Sequence, residues 1–153
     1  MHAWGSDLAQ ALEQVTLAMF GYMTELGTVE PDPALDWEVT ATGKDVLGLV
    51  FHLLDEALFR FATDDLIACD VQVTRLVMPG STSGACSGDA AGQYSVTLAC
   101  RGERFSLAKH PQGTEVKAIT YSNMQVHGLG GGDKQVDEGA SSEGVHVYVI
   151  VDI

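Results

Sequence analysis

The sequence predicts an α+β domain of two layers, with two amphipathic helices packed on one face of a mostly antiparallel sheet. Two stretches carry apolar residues at three- and four-residue steps, which is the repeat of a helix with one buried face. Several others show period-two alternation or β-branched enrichment, the mark of strands. Turn-rich gaps join those strands as hairpins, so antiparallel pairing follows. At 153 residues the chain suits one domain spanning 1–153, since a protein of that length buries roughly two-thirds of the surface its unfolded form exposes.

The first helix has Ser6 or Asp7 as its cap and carries Leu8, Leu12, Val15, Met19, Tyr22, Met23 and Leu26 at helical spacing, ending at Gly27. Trp37, Val39 and Ala41 alternate with Glu38 and Thr40, which predicts a half-buried strand stopped by Gly43. From Asp45 a second helix sets Val46, Val50, Leu53, Leu54, Ala57, Leu58 and Phe61 on one side and Asp55, Glu56 and Arg60 on the other. Four further strands are expected at about Leu66 to Met78, Gln93 to Cys100, Thr114 to His127 and Val145 to Asp152. The stretches at about 79–92 ("PGSTSGACSGDAAG") and 128–144 ("GLGGGDKQVDEGASSEG") are low in apolar content and read as flexible insertions in hairpin connections. Trp4 and Trp37 are expected in the core.

Eight Lys+Arg against 21 Asp+Glu give a net charge of −13. A field of that sign repels phosphate backbones, so no direct nucleic-acid contact is expected, and a basic protein surface is the natural partner. The three cysteines, Cys69, Cys86 and Cys100, lack CxxC spacing and signal neither a disulfide framework nor a zinc site. His2, Trp4, Gly5 and Asp7 interrupt the start before any apolar run resembling a signal peptide forms, and no apolar stretch approaches membrane-spanning length. The expectation is a soluble intracellular protein, cytoplasmic, nuclear or both.

Chemistry concentrates in two places. In "VHVYVIVDI" a strand is expected to run almost to the last residue, which sets the Asp152 side chain within one residue of the Ile153 α-carboxylate. Clustered oxygens of this kind suit Ca²⁺ or Mg²⁺ better than Zn²⁺, although a solvated acidic tail has the same spacing. Lys117, in "HPQGTEVKAITY", is either a solvent-face or edge lysine or a cation aimed at an acidic cluster or a partner, and Lys109 and His110 are candidates to join it. Enzyme motifs are absent: there is no GxSxG, HExxH or P-loop, and "GLGGGD" does not lead into a helix. His52 and Asp55 read as helix-surface residues rather than an acid–base pair.

"HAWG" at 2–5, "AMFGYMTELGTVE" at 18–30, "FHLLDEALFRF" at 51–61, "FSLAKHPQGTEVKAITY" at 105–121 and the closing "VDI" together resemble the archease family. The resemblance covers nearly the whole chain apart from the two Gly-rich insertions. It implies a small non-enzymatic α+β protein that activates an RtcB-type tRNA-splicing ligase, promoting its guanylylation and turnover. It also implies a divalent ion, with Ca²⁺ favoured, held by an aspartate of an N-terminal "HTAD" stretch, the aspartate of the terminal "DI" and the final carboxylate. On this chain the matching positions are Asp152 and Ile153, and the family lysine of "TEVKA" is Lys117, facing the ligase. Here Met1 stands directly before His2, so the expectation is that the strand bearing "HTAD" and one metal ligand are missing. Asp7 follows Ser6 where the family has "WGD". The alternative from another class is a generic acidic interaction or chaperone-like module without a functional metal site, and a metal-dependent hydrolase using Asp152, His110 and Lys117 is a third.

Overall fold

A computed structural model describes residues 1–79, 92–129 and 144–153. The insertions expected at about 79–92 and 128–144 fall almost entirely outside those residues, as does Cys86.

Strand β1 (His2–Gly5) leads into helix α1 (Leu8–Met23), then two short 3-10 turns, Leu26–Thr28 and Pro33–Leu35. Strand β2 (Trp37–Gly43), helix α2 (Val46–Asp64), and the long strands β3 (Leu66–Val77) and β4 (Tyr94–Arg104) follow. Four short strands complete the order: β5 (Ala118–Ile119), β6 (Gln125–His127), β7 (Val145–Tyr148) and β8 (Val151–Asp152). The strands form three antiparallel groups, β2-β4-β3, β1-β7-β6 and the pair β5-β8. The α+β class with two helices on antiparallel sheet is thus observed, with the sheet divided into pieces.

Both helices start where a side chain can take up an orphan amide. Asp7 accepts from the Gln10 N–H at 2.9 Å, and Asp45 from the Gly48 N–H at 2.7 Å. Of the predicted apolar faces, Leu12, Val15 and Met19 of α1 and Val50, Leu53 and Leu54 of α2 are fully buried in one core with Val39, Ile67, Val96 and Leu98, joined there by Phe20 and Leu49, whereas Tyr22 is exposed. At Gly43 the strand passes so close to the first turn of α2 that any Cβ there would run into the Leu49 amide.

Helix α1 ends at Met23, three residues short of the predicted Leu26. The cause lies far along the chain. Gly113 N–H donates to Met23 O at 2.8 Å, Thr114 N–H to Tyr22 O at 3.0 Å, and Thr24 Oγ1 to Pro111 O at 2.7 Å, so the Pro-Gln-Gly turn occupies the last carbonyls of the helix. A Cβ at position 113 would stand 2.5 Å from Tyr22 O, which is why glycine fills it.

Three expectations need correction. The strand predicted from Thr114 to His127 pairs only over Ala118–Ile119 and Gln125–His127, because the turn at Ser122 and Asn123, the latter with φ 51°, breaks it. The strand predicted from Val145 to Asp152 changes partners midway and divides into β7 and β8. Trp4 is not a core residue: β1 alternates outward and inward, Ala3 and Gly5 take the inner face, and Trp4 is left 61% exposed. Trp37 is half-buried.

Candidate functional site

The segment released from the end of α1 runs out through Glu115 and Val116 to β5, where it meets β8. Ala118 pairs with Asp152 and Ile119 with Val151. Lys117 N–H donates to Asp152 O at 2.8 Å, and Thr120 N–H to Ile150 O at 3.2 Å, so the ladder holds residues 150–152 from both sides of the pair. Val116 and Ile119 fix the segment by burying their side chains, while Lys117, Asp152 and Ile153 stay exposed, Ile153 at 55%.

The backbone therefore brings Lys117, Asp152 and Ile153 into one neighbourhood. Lys117 enters none of the ion pairs among the described residues, which leaves its ammonium solvated. Among those residues no group of three or more His, Cys, Asp or Glu side chains stands close enough to hold a metal ion. The Asp152 side chain and the Ile153 carboxylate are two anionic groups, against the six to eight oxygens that a tight calcium site gathers. By themselves they do not fit a closed metal site.

Lys109 and His110 do not join Lys117. Lys109 Nζ lies 2.7 Å from Glu30 Oε2 and 2.7 and 2.9 Å from the two Glu103 oxygens. His110 is 2% exposed; its Nδ1 accepts the Ser106 N–H at 2.9 Å, so the proton sits on Nε2, which donates to Glu103 Oε1 at 3.2 Å. Phe105 stacks on the same ring at 5.4 Å. Burial pushes the Glu103 carboxyl up, but hydrogen bonds from the Glu30 amide, Lys109 and His110, with the Lys109 charge, outweigh it and hold the group down at about 2. The cluster ties the loop before the Pro-Gln-Gly turn to β4.

Among the described residues no histidine ring is hydrogen-bonded to a serine, threonine or cysteine side chain. His52 is bound through Nδ1 to the Thr42 carbonyl at 2.6 Å. Burial pushes the Cys100 thiol up to about 12, which keeps it protonated, and Cys69 is half-buried.

One feature had no counterpart in the expectations. On the outer face of β1-β7-β6, His2, Trp4, His127, His146 and Tyr148 stand together, with the His2 ring stacked on Tyr148 at 4.2 Å. Burial, His146 and the N-terminal ammonium lower the His2 pKa. Its signal is present in the sequence: "HAWG" and "VHVY" both place aromatic side chains at alternate positions.

Fold and surface define a small acidic α+β protein that displays its ionic groups outward. The archease protein family (MTH1598/TM1083) matches residues 1–153. The protein archease-like of Drosophila melanogaster is 38% identical over 154 residues, covering 100% of this chain and 83% of that one. The protein archease of Danio rerio is also 38% identical, over 100% of this chain and 78% of its own. The solution structure of Methanobacterium thermoautotrophicum protein 1598 superposes with a TM-score of 0.68 at 25% identity, over 99% of this chain and 89% of that one. The chain belongs to the archease family.

Proposed function

We propose that this protein is a non-enzymatic activator of an RtcB-type tRNA-splicing ligase, promoting guanylylation and repeated turnover of that enzyme. The observation that carries the reading is the pairing of Lys117 with Asp152 at the end of a chain that matches the archease family throughout its length. This pairing holds one cationic and two anionic groups at fixed backbone spacing on an exposed edge, where a second protein can use them. Lys117 faces the ligase. Asp152 and the Ile153 carboxylate contribute to binding a divalent cation, Ca²⁺ favoured on the hardness of the donors, whose coordination this pair alone does not complete. The surplus of acidic residues suits docking on a basic protein surface and disfavours RNA.

The test is single-turnover guanylylation of the ligase with GTP and metal, with and without this chain. Stimulation by the unaltered chain is expected, with a loss of about tenfold or more for Asp152→Ala and Lys117→Ala, the scale on which displacing a metal-site or charge-pairing group acts. No stimulation under any divalent metal sinks the proposal. The two-donor count at the strand end favours one second reading, an acidic interaction module that needs no metal. Under that reading Asp152→Ala stimulates as well as the unaltered chain.

A further inference from the structure

The outer face of β1-β7-β6 carries three of the five histidines of the chain. His2 lies opposite Tyr148 and Trp4 opposite His146, so His2 and His146 are diagonal neighbours; His127 lies directly opposite His146 on the other side of β7. The His2 Nε2 and His146 Nδ1 atoms are hydrogen-bonded to one another at 3.0 Å, and the two rings are within 18° of parallel. We propose that His2 and His146 form a two-imidazole seat for a divalent transition metal of the zinc, nickel and copper class, separate from Asp152 and its hard-oxygen chemistry.

Distance supports the seat. Two nitrogens each about 2.0–2.1 Å from one ion are about 2.9 Å apart at a right angle and about 3.3 Å apart at the tetrahedral angle. The observed 3.0 Å falls between these values, so an ion that displaces the proton now shared between the two nitrogens finds both at ligand spacing. Chelation requires only that the rings turn about χ2 until their lone pairs converge outward, a soft torsion for histidine. That turn exchanges the present stacking of His2 on Tyr148, at 4.2 Å and 1°, for the metal bond, and Trp4 lies beside the second ring, 6.5 Å from His146. His127, directly opposite His146 in the ladder, bonds to Gln125 Oε1 at 2.9 Å and becomes a third donor only if its rotamer changes. Imidazole is a borderline ligand, which selects this metal class over Ca²⁺ and Mg²⁺.

The experiment titrates zinc, nickel, copper or calcium chloride into the full chain and follows zinc by histidine-ring NMR, and the paramagnetic ions by calorimetry. One equivalent of zinc is expected to shift the His2 and His146 rings together, copper to bind more tightly than nickel or zinc, and calcium to leave both rings unmoved. Since loss of even an outer partner of a metal-bound histidine costs about tenfold, His2→Phe and His146→Phe are each expected to weaken zinc binding by at least that factor. Asp152→Asn is expected to bind zinc as the unaltered chain does. Weakening by His127→Ala supports the third donor, and its absence removes His127 from the seat. All these side chains lie on an outer face, and a backbone amide spectrum of each variant confirms the fold. Equal zinc affinity in the doubly substituted His2→Phe/His146→Phe chain, or a response confined to His52 and His110, overturns the proposal.

Discussion

Glu103 shows how much one side chain can organise at a distance. Its carboxylate accepts from the Glu30 amide at 2.6 Å, from Lys109 and from His110, and its side chain is only 18% exposed. A carboxyl held at about 2 when folded and near 4.5 otherwise stabilises the fold above the higher value, and this contribution is lost as pH falls from about 4.5 to about 2. At about 1.4 kcal/mol per pKa unit, reduced for the solvent that still reaches the group, the loss is on the order of 2 kcal/mol. Urea midpoints at pH 5.5 and pH 3 are therefore expected to differ more for the unaltered chain than for Glu103→Gln. Equal differences would show that the cluster contributes nothing across this range. None of this was legible in the sequence, because Glu30 lies far along the chain from Glu103 and Lys109 and no periodicity links the three. Lys117 was legible as an outward cation near the strand end, whereas Lys109 and His110, candidates to join it by closeness along the chain, pair with Glu103 instead.

Among the elements, the helices were read best, since an apolar stripe of four or five turns averages over any single exception. Where α1 ends could not be read: the residues that stop it belong to a turn some 90 positions later. Strand β1 was missed because four residues carry too little pattern, and because Trp4 draws attention inward although its register points it out. The opposite error, a strand drawn across 114–127, arose from β-branched composition without a partner to pair with. Helix starts make a sharper prediction. Replacing the cap in Asp45→Ala is expected to cost about 1 kcal/mol, and Gly43→Val, whose side chain meets backbone atoms of α2, about 1–3 kcal/mol. Both are read from urea denaturation; a neutral Gly43→Val would mean that β2 and α2 can move apart freely.

At the level of the whole molecule, charge is the dominant property. With −13 spread over 153 residues, association with the proposed ligase partner through a basic surface is expected to be accelerated by long-range attraction, and the rate to fall about tenfold or more between low salt and roughly 0.5 M salt. Stopped-flow mixing of the two proteins at several salt concentrations measures it. A salt-independent rate would place the binding energy in apolar contact instead. No helix among the described residues is long and apolar enough to cross a membrane.

Strand order has a consequence for how the molecule comes into being. In both three-stranded groups the middle strand is made later than both of its neighbours: β4 slots between β2 and β3, and β7 slots between β1 and β6. During synthesis on the ribosome β1 thus waits for its β7 partner until Val145–Tyr148 has been made, and closure of that group joins segments far apart in sequence. A nascent chain stalled before Val145 would present β1 and β6 to any passing chaperone or aggregate, however well α1 and α2 had already formed.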